Sequence, residues 1–122
     1  MTRLPIMIAA VLIALPCAAH AAAPLNLQAK TSNDLADLCG PNPKESGAEA
    51  KINFCYGFAQ GVIDMQLRRT GDKKSFCFPT PMPTRTVTMN EFTNWVRALP
   101  AHRTLGSIDG LFQFLGERYP CK

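Results

Sequence analysis

Histidine is scarce in this chain. There are two, His20 and His102, and His20 lies in an amino-terminal stretch that reads as a removable leader. One imidazole is left for any acid–base, nucleophilic or metal-binding chemistry. Paired carboxylates are also missing, and Asp64 is the only acid inside a strongly apolar segment. Its simplest role is as a hydrogen-bond acceptor for a helix end, or for Arg68 one turn on. The close-spaced C-x-x-C pairs of zinc sites are absent, as are a phosphate-binding loop, a helical metal motif and an internal repeat. These gaps leave a cryptic hydrolase without an acid–base constellation. The expectation is a protein that is not an enzyme and holds no cofactor and no metal.

A bilayer-spanning run is lacking as well. The apolar stretch from Ile6 to Leu15 is too short to cross a membrane. Arg3 before it and Ala19-His20-Ala21 after it give the pattern of a cleaved signal peptide, with cleavage near Ala21 or Ala23. Pro24 would follow the later site directly, which favours the earlier. A lipoprotein anchor at Cys17 would need a small residue where Pro16 stands. Residues 1–21 are therefore expected to be a signal peptide and residues 22–122 one exported domain, periplasmic and free of the membrane after cleavage. The formal net charge is +4, and losing Arg3 lowers it by one. That charge reads as too small and too scattered for a nucleic-acid partner.

What the chain does have is cysteine. Without Cys17 four remain, Cys39, Cys55, Cys77 and Cys121, an even number in an exported chain, which points to two disulfides. Three pairings are open to them. A tight turn between two helices favours Cys39 with Cys55, which leaves Cys77 with Cys121.

Periodicity gives an all-α, four-helix domain. The stretch Ile52 to Leu67 is apolar on most of its circumference, and we expect it to be the central helix, within a longer helix from Ala48 to about Arg69 that ends at Gly71. Asn53, Gly57, Gln60, Gly61, Asp64 and Arg68 form its one polar or small stripe. Gly57 and Gly61 stand one turn apart, each disfavoured by about 1 kcal/mol relative to alanine. They are expected to admit a close neighbour, either another helix of the chain or a second molecule. A short first helix is capped by Thr31 or Ser32 and stopped by Gly40-Pro41, after a featureless leader from Ala22 to Lys30. Ser46 with Glu49, and Thr88 with Glu91, have capping-box spacing and should open the second and third helices. Phe92, Trp95, Val96 and Leu99 form an apolar face, with Trp95 in the core. A fourth helix from His102 or Thr104 to Arg118 buries Leu105, Ile108, Leu111, Phe112, Leu115 and Tyr119. Between the second and third helices, Pro79, Pro81 and Pro83 impose an extended path that Cys77 tethers.

The set Leu35-x-x-Leu38-Cys39, Cys55-Tyr56-Gly57-Phe58-x-x-Gly61-Val62-x-Asp64 and Cys77-x-Pro79 resembles the Rap/Tai immunity proteins, and Pro100-x-x-Arg103 and Tyr119-Pro120-Cys121 extend the likeness. The resemblance implies a periplasmic, helical, disulfide-containing immunity protein. Such proteins protect type VI secreting bacteria by occluding the cleft of a peptidoglycan amidase effector. The implied partner is that effector, and a homodimer is a candidate assembly. Contact residues vary in the family. On physical grounds the candidates are Lys73, Lys74 and Arg85 on the proline-containing loop and His102 and Arg103 in the Leu99–Thr104 turn, because an exposed but stiff loop loses little entropy on binding. The alternative is an exported helical binding or stress-protective protein with no amidase target. An adjacent effector gene, or a periplasmic pull-down, separates the two.

Overall fold

The computed structural model describes residues 24–69 and 73–122. The signal-peptide reading and the Gly71 helix stop lie outside them. Among the described residues the protein is all-α, with helices α1 Ser32–Cys39, α2 Ala48–Arg69, α3 Arg85–Ala98, α4 Pro100–Arg103 and α5 Ser107–Arg118. Four are substantial and α4 is a single turn.

The helix in the middle is α1, and the expectation that the Ile52–Leu67 stretch would sit there is corrected. Although only eight residues long, α1 packs against all four other helices, whereas the main helical partner of α2 is α1. Leu35 and Ala36 on α1 are wholly buried. On α2 only Ala48, Cys55 and Ala59 are buried, while Phe54, Tyr56, Phe58, Val62 and Ile63 are partly covered. A 22-residue helix apolar on most of its circumference needs neighbours on most sides, and a domain of about a hundred residues cannot supply them. The shorter helix with smaller side chains is the one that can be enclosed.

Local chemistry sets the ends of α1. Thr31 Oγ1 accepts from the Asp34 amide at 3.1 Å, and Asp34 Oδ2 accepts from the Thr31 amide at 2.9 Å. This reciprocal cap is worth about 1 kcal/mol. Hydrogen bonding from Thr31, its backbone N–H first and then its side chain, holds the Asp34 carboxyl below its usual range. At the other end Cys39 bonds Cys55, which fastens α1 to α2 across the turn. That turn reverses at Gly47, whose φ of +81° suits glycine, with the Leu25 side chain against it.

Two helix starts differ from expectation. Helix α3 opens one turn before Thr88, with Thr84 accepting from the Val87 amide. Glu91 is not a capping group; it faces α5, where Arg118 grips it through two nitrogens at 2.9 and 3.0 Å. The expected continuous fourth helix is broken into α4 and α5. The Leu105 carbonyl accepts from the Ser32 amide at 2.8 Å, and the Ser107 amide donates to the Lys30 carbonyl at 3.1 Å. These bonds draw backbone groups out of a continuous helical ladder, and Thr31 pairs with Gly106 as an isolated β-bridge. The segment before α1 is therefore a strap laid across the α4–α5 joint. Ile108, expected in the core, is about half exposed.

Phe76, Phe92, Leu111, Leu115 and Val96 complete the buried centre, each worth about 1.5–3 kcal/mol on burial. Phe76 stacks on Phe112 and meets Phe78 edge-on. A second disulfide, Cys77–Cys121, and a bond from the Cys77 amide to the Tyr119 carbonyl at 2.7 Å pin the extended segment to the chain's end.

Candidate partner-binding site

The carboxyl-terminal half of α2 has one side that no helix covers. The prolines keep the next segment extended, and it runs from Phe78 to Thr84 over this side before entering α3. Between them lies a groove of about 160 Å³. Its floor is Ala59, Ile63, Phe78 and Met89, its lips are Gln60 and Asp64 on α2 and Arg85 on α3, and Leu67 and Met82 flank it. Met82 is 68% exposed and Leu67 42% exposed, so the flanks of the groove are apolar as well as its floor. One wall is fixed where the Tyr56 and Thr86 hydroxyls meet at 3.1 Å. Asp64 accepts from Gln60 Nε2 at 2.8 Å, so its structural partner is that amide and not Arg68.

The underside of the extended segment is equally fixed. Arg118 binds Glu91 bidentately, the Tyr119 hydroxyl donates to Glu91 at 3.2 Å, and the Arg118 guanidinium lies over the Tyr119 ring. The Arg118 bonds lower the Glu91 carboxyl below its usual range and raise Arg118 correspondingly. An exposed segment is thus held on a stiff base, as a docking surface requires.

The five expected contact residues do not form one patch. Lys73 and Lys74 are exposed on the chain leaving α2, and Arg85 stands at the groove on the first turn of α3. His102 and Arg103 sit at the opposite end of α3. Arg97 stands twelve positions after Arg85, which at the helical rise is about 18 Å. Arg103 donates to the Arg97 carbonyl at 2.8 Å, and His102 stacks on Trp95. Both side chains hold α4 against α3. Trp95 is half-buried, with its indole N–H donating to Glu117 Oε2 at 2.7 Å. Hydrogen bonds from Gln113 and then Trp95 hold the Glu117 carboxyl below its usual range.

The expectation that Gly57 and Gly61 admit another helix of this chain is corrected: a methyl group at either would meet nothing within 4 Å. The glycine that does permit close packing is Gly110, where an added methyl would collide with Ser32 Oγ. Sequence reading also passed over Leu67 and Met82; a methionine between two prolines was the available signal.

Among the described residues no group of three metal-ligating side chains could hold an ion, and no helix is long and apolar enough to cross a membrane. A family model described as Rap1a immunity proteins matches residues 31–121. This span runs from the Thr31 cap to Cys121 and contains both disulfides. No curated protein and no solved structure matches the chain.

Proposed function

This chain belongs to the Rap1a immunity protein family, and from that premise we propose that it is a periplasmic protein that neutralises a type VI secretion effector, a peptidoglycan amidase, by covering its catalytic cleft. An immunity protein binds and does not catalyse. The observation that carries the reading is a family match over nearly all of the domain, including both bridges. Two disulfides suit an oxidising compartment, which is where a cell-wall hydrolase acts. The covering surface is the tethered proline-containing segment with Lys73, Lys74 and Arg85, stiff on its Glu91–Arg118 base.

The test is survival. A strain that directs a type VI peptidoglycan amidase effector to its periplasm should lyse alone and survive when this protein, as its cognate partner, is exported with it. Purified protein should suppress that effector's hydrolysis of peptidoglycan at near-equimolar ratio. Lysis unchanged by the protein, with both partners present in the periplasm, would remove the reading. The triple reversal Lys73→Glu, Lys74→Glu, Arg85→Glu should weaken inhibition at least tenfold.

A further inference from the structure

The charge of the domain is unevenly distributed, and the unevenness coincides with the groove. Residues 60–90 contain five lysines and arginines and two aspartates, whereas residues 22–59 and 91–122 together contain seven basic and seven acidic residues. The net charge of the exported domain therefore lies in residues 60–90, which supply most of the groove's lining, Arg85 and Asp64 among it. The balanced remainder forms ion pairs, Lys51–Glu45, Arg97–Asp37 and Arg118–Glu91. Among the described residues none of the cations of 60–90 has a carboxylate within ion-pair distance. Arg85 stands on one lip, and Arg68 lies one helical turn beyond Asp64 on the other.

We propose that the groove between α2, the proline-containing segment and Arg85 receives an acidic segment of the effector, one apolar side chain entering between Ile63, Leu67 and Met82 while flanking carboxylates meet Arg68 and Arg85. This deepens the immunity reading and rests on it for the identity of the partner. The apolar floor excludes water around the anchor, and charge-assisted hydrogen bonds to two guanidinium groups fix its direction. The cationic surround raises the encounter rate with an acidic partner, an effect that weakens with salt. A partner rich in lysine would meet like charge at Arg68 and Arg85, with Asp64 the one carboxylate of the groove lining.

The probes are two fluorescein-labelled peptides of alternating leucine or phenylalanine with glutamate, or with lysine in its place, titrated with the intact protein and read by fluorescence anisotropy. The glutamate peptide should bind, with affinity falling about tenfold between low and physiological salt, and the lysine peptide should not. Leu67→Glu and Arg85→Glu, both at exposed positions, should each weaken that binding at least tenfold. Ile108→Glu, at an exposed apolar position on α5, should leave it unchanged. Equal binding of both peptides, no binding of the glutamate peptide, or indifference to both groove variants overturns the proposal. So does a concentration-dependent dimer in sedimentation that Leu67→Glu dissociates, since a second copy would then be the occupant. If the protein protects against its effector and both groove variants protect equally, the groove proposal fails while immunity stands. If the protein gives no protection, the immunity reading fails on its own.

Discussion

The imidazole of His102 lies flat on the indole of Trp95, with ring centroids 3.6 Å apart and planes 11° from parallel, and its Nδ1 stands 2.7 Å from the Trp95 carbonyl oxygen. A carbonyl can only accept, so Nδ1 carries the hydrogen. The ring is thus held by a stack and a hydrogen bond to one residue, and α4 is joined to α3 through it. Substituting His102→Ala should lower unfolding free energy by about 1–2 kcal/mol, the combined scale of a ring stack and a hydrogen bond. Urea unfolding measures this, and effector inhibition by the folded variant should not change. A loss of inhibition without a loss of stability would return His102 to the contact surface.

Glycines one turn apart need not serve the same purpose as a glycine in a true crossing. Gly57→Ala and Gly61→Ala fill open space and should each stabilise the protein by about 0.5–1 kcal/mol through helix propensity. Gly110→Ala drives a methyl into Ser32 and should destabilise by about 1–3 kcal/mol, the usual range for overpacking. Thermal and urea midpoints of the three variants separate these cases. Should the first two alanines lower stability of an isolated monomer, the open-face assignment is wrong.

The two bridges close loops of different length, with sequence separations of 16 and 44. Loop entropy assigns about 3 kcal/mol to Cys39–Cys55 and about 4 kcal/mol to Cys77–Cys121. Replacing each pair by alanine should follow that order. Only the second loss should also release the proline-containing segment, seen as faster proteolysis between residues 77 and 85 with the α1–α2 turn still protected.

Acid should weaken the fold through three carboxylates. Asp34, Glu91 and Glu117 all titrate lower in the folded protein than usual. A depressed folded value means that the group stabilises the native state at neutral pH and stops doing so as pH falls through that value. The melting temperature should stay level from pH 7 to about 5 and decline below about 4, where unfolded carboxylates bind protons. Glu91→Gln should flatten part of the decline. All three side chains are near solvent, so added salt should reduce the slope.

Helix content was legible because apolar spacing of three and four is a local property. Thr31, Gly40 and the prolines marked ends for the same reason. The placement of α1 at the centre was not legible, because enclosure depends on which helix the others can surround. The richer apolar pattern of α2 pointed elsewhere. Glu91 has the spacing of a cap to Thr88, and only tertiary structure brings Arg118 to it. The break at Leu105–Ser107 likewise depends on backbone partners more than seventy residues away, Ser32 and Lys30. As for the site, Arg85 was visible as a cation beside prolines. The groove next to it requires two segments to be placed together first.

The strap before α1 limits how far the amino terminus can be trimmed. Ser107 opens α5 with its hydroxyl on the Ala29 carbonyl at 2.6 Å and its amide on the Lys30 carbonyl. Proteolytic removal up to residue 24 leaves both acceptors in place, whereas a cut after Lys30 removes them together and leaves a buried serine with two donors facing no protein oxygen. Tags and fusions at this end are therefore best joined ahead of Leu25, whose side chain rests on the Gly47 turn.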